Sequence, residues 1–327
     1  MCLEVVLLEV RGLSVIYRTL FGTVKALDDV SFTLDKGESI AVVGESGSGK
    51  STLALAISRL LPPNARYVSG EVLFDGINLV KLPQSKLRMI RGTGIFMVFQ
   101  EPANSLNPVY KIRDQLIEAV RVRMIKSGEA FDEGKALKEI ISTLRDVRIP
   151  DPEIIIDRYP HQLSGGQIQR VMIAMGLLMR PRLYIADEPT SALDVTVQAQ
   201  ILKLLKDLKS EYNLSIIFIT HDLAVASVIG DRIMVMYAGQ VVEEGNIDDV
   251  VTKPYHPYTQ GLLGSLPRIS KHEGKLPIIG GSVPSLINPP SGCRFHPRCP
   301  YATDTCIKVV PQLKITDNRR VRCHLYA

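Results

Sequence analysis

Short apolar runs of strand length alternate along this chain with longer stretches in which apolar residues recur every three or four positions. Ser39–Val43, 95–99, 182–186 and Ser215–Thr220 are runs of the first kind and predict buried strands. Residues 53–61, 111–125, 131–147, 168–179 and Val195–Tyr212 show the second rhythm and predict helices, the first stopped by Pro62 and Pro63. Strand and helix in alternation imply a mainly parallel sheet covered on both faces. Residues 4–43 read as short strands and turns, and 68–80 as a strand pair turning at Asp75 and Gly76. Between Pro102 and Pro160 the pattern is helical only, so that residues from 102 to about 165 read as an inserted helical subdomain. Beyond Lys253, prolines at 254, 257, 267, 277, 284, 289 and 290 interrupt any long element. A boundary there divides a main α/β domain, 1–253, from an extension, 254–327. The extension begins as a connector, to Gly292, and ends as a small cysteine-stapled unit.

Composition bounds the class. At 327 residues, 46% hydrophobic and 22% charged, the chain is long enough for one large α/β domain plus an appendage. No stretch approaches the roughly 18–20 apolar residues of a bilayer span, and Glu4 and Glu9 break the apolar start, so a cytoplasmic protein is expected. The net charge of +5 conceals an asymmetry: residues 253–327 carry a net +8 and the remainder −3. Such an excess fits nucleic acid, anionic lipid or a solvated surface, and the solvated surface is taken as the ordinary case. Of five cysteines, Cys2 stands alone while Cys293, Cys299, Cys306 and Cys323 crowd into the last 35 residues, which without a secretion signal points to a metal or cluster.

The candidate chemistry starts where the first buried strand meets Gly44, Glu45, Ser46, Gly47, Ser48, Gly49, Lys50, Ser51 and Thr52. Strand, glycine loop and helix in that order make a phosphate cradle, with Lys50 for the outer phosphates and the Ser51 hydroxyl for Mg²⁺. The run ending in Asp187 and Glu188 brings two carboxylates to a strand end with different directions. Asp187 is read as a Mg²⁺ partner and Glu188 as the general base for the attacking water, against the plainer reading of a solvated acidic pair. His221 closes another apolar run; a lone histidine there is more often structural.

The order of these features, with Gln100 after a strand, LSGGQ at 163–167 and SALD at 191–194, resembles the ATP-binding cassette (ABC) family over roughly residues 5–250. No motif residue is substituted. The resemblance implies an α/β fold, a P-loop ABC nucleotide-binding domain with a mainly parallel core sheet, an antiparallel β subdomain and an α-helical subdomain. It implies that Ser164, Gly165, Gly166 and Gln167, with a helix beginning at Gly166, bind the γ-phosphate of ATP held by a partner subunit, as small residues at a helix start can. It places His221 on the γ-phosphate, Gln100 on Mg²⁺ and the attacking water, and Asp194 at a dimer interface. Tyr17 is the candidate for stacking on adenine, an aromatic that could equally be core. The helical insert would dock on membrane subunits, coupled through Gln100 and the EPANSLNP segment after it.

The tail segments HPYTQGLLGSLP, GCRFHPRCPYATDTC and RRVRCHLY resemble the C-terminal extension of the oligopeptide and dipeptide importer ATPases over most of 253–327. That resemblance implies a four-iron, four-sulfur (4Fe-4S) cluster on Cys293, Cys299, Cys306 and Cys323. Intervals of five, six and sixteen residues contain no CxxC pair, unlike a zinc ribbon, but thiolates bind zinc as well as iron–sulfur groups, and zinc remains the alternative. Arg294, Arg298 and Arg322 would offset the charge of a fully thiolate-bound group. The expected protein is therefore an ATPase subunit energising a dipeptide or oligopeptide importer. Its expected partners are a second ATPase, identical or related, two permease subunits and, indirectly, an extracytoplasmic binding protein, with the chain on the cytoplasmic face of the membrane. A nickel importer of the same group and a soluble ABC ATPase acting on nucleic acid are the alternatives. No nucleic acid is expected, because the 112 residues between Ser51 and Ser164 cannot hold a long coiled coil and there is one phosphate loop. An iron–sulfur regulator using ATP as a switch is a third reading.

Overall fold

A computed structural model describes residues 6–191, 193–265 and 279–326. Cys2 and part of the connector, including Pro267 and Pro277, lie outside the described residues. The chain forms two compact units, one from Met1–Lys81 with Phe218–Ala327 and one from Leu82–Ile217.

The first unit begins with an antiparallel sheet in the order Gly22–Asp35, Val6–Thr19, Ala65–Phe74, Ile77–Asn78. The short strands expected before residue 43 are instead two strands of 14 residues each. Buried positions run Leu8, Val10 and then Leu13, Val15, a change of parity that moves the apolar residues to the other face of a regular strand. A bulge between Val10 and Leu13, where Gly12 takes φ 55°, restores them to the same side. The turn at Asp75 and Gly76 forms as expected, with φ 49° and 74°.

The second sheet of this unit runs Lys314–Thr316, Arg319–Val321, Gln240–Asn246, Arg232–Tyr237, Ser39–Val43, Ser215–Thr220. Ser39–Val43 is parallel to Arg232–Tyr237, while the pairings from Arg232–Tyr237 out to Lys314–Thr316 are antiparallel, so the sheet is mixed. The two strands at the Lys314–Thr316 edge come from the tail. They meet in a two-residue turn, Asp317 and Asn318, with φ 48° and 62°, as a hairpin with right-handed strand twist requires.

The tail is thus built into the unit that carries the glycine loop. Tyr258 and Phe295 pack on Tyr237, with ring centroids 4.6 and 5.1 Å away. Buried Glu243 accepts the N–H groups of Tyr255 and His256 at 2.8 and 2.9 Å, tying residue 255 to the sheet. Burial pushes the His256 pKa down to about 3, which leaves a neutral ring whose Nδ1 accepts the Tyr258 N–H and caps the helix Pro257–Gly264.

Among the described residues, four arginines of the tail are held in ion pairs rather than left to solvent. Arg294 pairs with Asp28 at 2.6 Å, Arg298 with Glu45 at 2.7 Å, Arg320 with Glu244 at 2.8 Å and Arg322 with Asp29 at 3.1 Å. Arg294, Arg298 and Arg322 keep only 4–7% of their side chains exposed. These pairs join part of the positive tail to carboxylates of the remainder, so that Arg294, Arg298 and Arg322 each face a carboxylate.

In the second unit, Ile95–Val98 and Leu183–Asp187 pair in parallel. The described residues between 102 and 160 form the helices Pro102–Ser105, Ile112–Ser127, Glu133–Asp146 and Pro152–Ile155, and no strand occurs among them. Ile112, Leu116, Val120, Ile140 and Leu144 bury their sides. The Arg123 guanidinium holds the Glu139 carboxyl below its ordinary pKa, aided by Arg180. No helix among the described residues is long and apolar enough to cross a membrane.

Candidate functional site

Ser39–Val43 is buried at every position and delivers the chain to Gly44. A Cβ on Gly44, at φ 156°, would lie 2.2 Å from the Met236 carbonyl oxygen, and one on Gly49, at φ 103°, 2.6 Å from that of Ala26. Both positions therefore exclude any side chain, which fixes two of the motif's glycines by sterics alone. The helix Lys50–Ile57 follows at once, with Gly49 at its start and no side chain capping it. It begins three residues earlier than expected, because the motif's own Lys50, Ser51 and Thr52 form its first turn, and its positive end faces the loop. Lys50 Nζ folds back over the loop, donating to the carbonyls of Gly44 at 2.8 Å and Glu45 at 3.0 Å. Ser46, Gly47 and Ser51 are exposed. The Tyr17 hydroxyl lies 3.3 Å from Thr52 Oγ1, so this ring stands beside the same helix start.

His221, also on the first unit, is exposed and follows the fully buried strand Ser215–Thr220. Its position is set by Asp222, whose N–H donates to Thr220 Oγ1 at 3.0 Å and whose carboxylate accepts from Ala224 N at 2.7 Å, capping Leu223–Ile229.

On the second unit, Leu183–Asp187 is buried throughout, with Asp187 5% exposed at its end. Glu188 takes φ 45°, rare for a residue with a side chain, so the chain turns there rather than continuing as strand. This turn, rather than strand alternation, separates the two carboxylates. Gln100 Nε2 reaches Glu188 Oε2 at 3.4 Å, bringing together two of the candidate catalytic groups.

The signature segment has a local explanation that pattern reading had missed. Ser164 caps the helix Gly165–Leu178 and forms a reciprocal box with Gln167: Ser164 Oγ accepts the Gln167 N–H at 3.3 Å, and Gln167 Oε1 accepts the Ser164 N–H at 3.0 Å. The helix therefore starts at Gly165, one residue before the expected Gly166. Serine followed three residues later by glutamine was the available signal. A Cβ on Gly166 would sit 2.9 Å from Val197 Cγ1, so this glycine also permits close packing on the helix Val195–Tyr212. Ser164 and Gly165 are exposed. Asp194 is the cap of Val195–Tyr212, accepting the Val197 N–H at 2.9 Å, and is exposed as well.

Cys293, Cys299, Cys306 and Cys323 line one cavity together with His256, Phe295 and His324, and none of the four is in a disulfide. Burial raises the Cys293 and Cys299 thiols and pushes Cys323 up to about 11, an effect the neighbouring thiols reinforce. Among the described residues no group of three or more His, Cys, Asp or Glu side chains is arranged to hold a metal ion. The donor set, four soft thiols around one space, is common to zinc and iron–sulfur sites.

Comparison with known proteins finds two family matches along the chain. Residues 27–191 match the ABC transporter family and residues 242–306 the C-terminal region of oligopeptide/dipeptide transporters. The oligopeptide transport ATP-binding protein OppD of Haemophilus influenzae is 46% identical over 322 residues, 98% of each chain. The dipeptide transport ATP-binding protein DppD of the same organism is 46% identical over 318 residues, 97% of this chain and 95% of that one. Among solved structures, the dimeric bacterial ABC transporter cassette MJ0796 is similar with a TM-score of 0.65 and 30% identity, over 73% of this chain and 98% of that chain. A dimeric post-hydrolysis state of the same cassette, bound to ADP and Pi, matches equally well.

Proposed function

This chain belongs to the ABC transporter ATPases of the oligopeptide and dipeptide importer type, and from that premise we propose that it works as one half of a pair whose two ATP molecules are held between facing chains. The carrying observation is that one chain holds two glycine-flanked helix starts, at Gly49–Lys50 and at Ser164–Gly165, of the kind that can bind an anion. The second has no phosphate-binding lysine of its own, so it serves a nucleotide carried on another chain.

In this reading the 44–52 loop cradles the β- and γ-phosphates, and Lys50 leaves the Gly44 and Glu45 carbonyls to meet them. Tyr17 stacks on the base. Ser51, Gln100 and Asp187 supply oxygen donors of the kind Mg²⁺ takes, and the ion would neutralise phosphate charge. Gln100 orients the attacking water, Glu188 accepts its proton and His221 contacts the γ-phosphate. Ser164, Gly165 and Gly166 of the facing chain donate to the same phosphate, with Gln167 holding Ser164 in place and Asp194 at the interface. Residues 1–253 form the motor, and 254–327 the extension that braces it. The helical subdomain meets two permease subunits, which places the chain on the cytoplasmic face of the membrane, downstream of an extracytoplasmic binding protein.

Reconstituted with its permease pair and binding protein in liposomes, the chain should drive uptake of dipeptides or short oligopeptides only when ATP is on its own side. Nickel uptake instead would reassign the cargo, and turnover that responds to nucleic acid but not to permease would reject the transport role. We further propose that the four-cysteine cavity holds a 4Fe-4S cluster as a structural staple. Protein purified without oxygen should carry about four irons and four acid-labile sulfides per chain; stoichiometric zinc, or neither, would rule the cluster out.

A further inference from the structure

Glu45 has partners on its N–H, its carbonyl and its carboxylate, and two of them come from the far end of the chain. Its N–H donates to the Tyr258 hydroxyl at 2.8 Å. Its carbonyl accepts from Lys50 Nζ at 3.0 Å and from the Ser48 N–H at 3.2 Å. Its carboxylate takes the Arg298 guanidinium in a bidentate pair at 2.7 and 3.0 Å. Arg298 is held in turn: Nε donates to the Gly280 carbonyl at 2.8 Å, Nη1 reaches the Tyr237 hydroxyl at 3.4 Å, and the side chain is 5% exposed. The turn that carries it is closed by bonds from Arg298 N to Phe295 O and from Cys299 N to His296 O.

A carboxylate on a loop that receives a polyanion opposes the ligand, the more so in a partly buried setting. Lys50 must also leave the Glu45 carbonyl to reach a phosphate, so something else has to keep the loop open. We propose that Arg298 and Tyr258 are positioning residues for the nucleotide: Arg298 cancels the charge of Glu45 and, with Tyr258, holds the glycine loop in its phosphate-accepting shape. The extension then acts on ATP affinity, whatever occupies its cysteine cavity. This rests on the reading of residues 44–51 as the phosphate cradle.

The test is equilibrium ATP binding and steady-state ATP turnover of the full chain, with nucleotide-free thermal unfolding as the folding control. Arg298→Met, which leaves the carboxylate unpaired, should raise the Kd and KM for ATP about tenfold while kcat changes by less than about threefold. Arg298→Met/Glu45→Gln should recover most of the lost affinity, a rescue that loss of packing would not show. A double variant as weak as Arg298→Met, or Arg298→Met binding ATP like the parent, overturns the proposal. Should Arg298→Met not fold, Arg298→Lys, which keeps the charge but not the bidentate geometry, should weaken ATP binding by less than about tenfold; a larger loss that Glu45→Gln fails to relieve also overturns it. A parent chain that binds no ATP would instead sink the cradle reading itself.

Discussion

Replacing Glu188 by glutamine should lower ATP turnover by about 10²- to 10⁴-fold while leaving ATP affinity near that of the parent. The amide is isosteric with the carboxylate, so the left-handed turn at φ 45° and the approach of Gln100 Nε2 at 3.4 Å can both persist through the amide oxygen. What is lost is the ability to take a proton from the attacking water. The proposed phosphate cradle, where Gly44 and Gly49 admit no side chain, is untouched. ATP should therefore accumulate unhydrolysed between two chains, visible as an ATP-dependent doubling of mass in sedimentation. Turnover within about threefold of the parent would remove Glu188 from the role of base.

Ser164→Arg should lower turnover by about 10²-fold or more, the scale of losing a donor to transition-state oxygens, with ATP binding to the isolated chain unchanged. The long cation would fill the space where the facing chain's γ-phosphate belongs. Ser164 is also a helix cap, and its loss alone costs about 1 kcal/mol of stability. Ser164→Asp separates the two roles, since aspartate caps as well as serine but sets a negative charge against the phosphate. Both variants should be inactive and only the arginine variant less stable; an active Ser164→Asp would reduce Ser164 to a cap. Weakened ATP binding by the isolated chain would contradict action across the interface.

The parts legible in the sequence are those whose residue types are dictated locally. Gly44 and Gly49 can be nothing else, because neighbouring carbonyls occupy the place of a Cβ. Val195–Tyr212 and Ser215–Thr220 lie where periodicity puts them. The long first strands were obscured by the bulge at Gly12, since a change of parity looks like a break unless the bulge is known. The tail hairpin was missed because Lys314–Thr316 and Arg319–Val321 have three residues each, too few for a period. They exist by pairing with a strand some 75 residues earlier, Glu244 opposite Arg320. Charge asymmetry was plain in composition, but its meaning lay in Asp28, Asp29, Glu45 and Glu244, partners that only the fold brings to the tail's arginines.

The most direct measurement is the nucleotide and subunit stoichiometry of the Glu188→Gln assembly with Mg-ATP, isolated by size and analysed for bound nucleotide. Two unhydrolysed ATP per pair of cassettes, lost from the assembly when Ser164→Arg is added to the same chains, is the expected result. One ATP per single chain, held equally well with and without Ser164→Arg, would contradict the composite site.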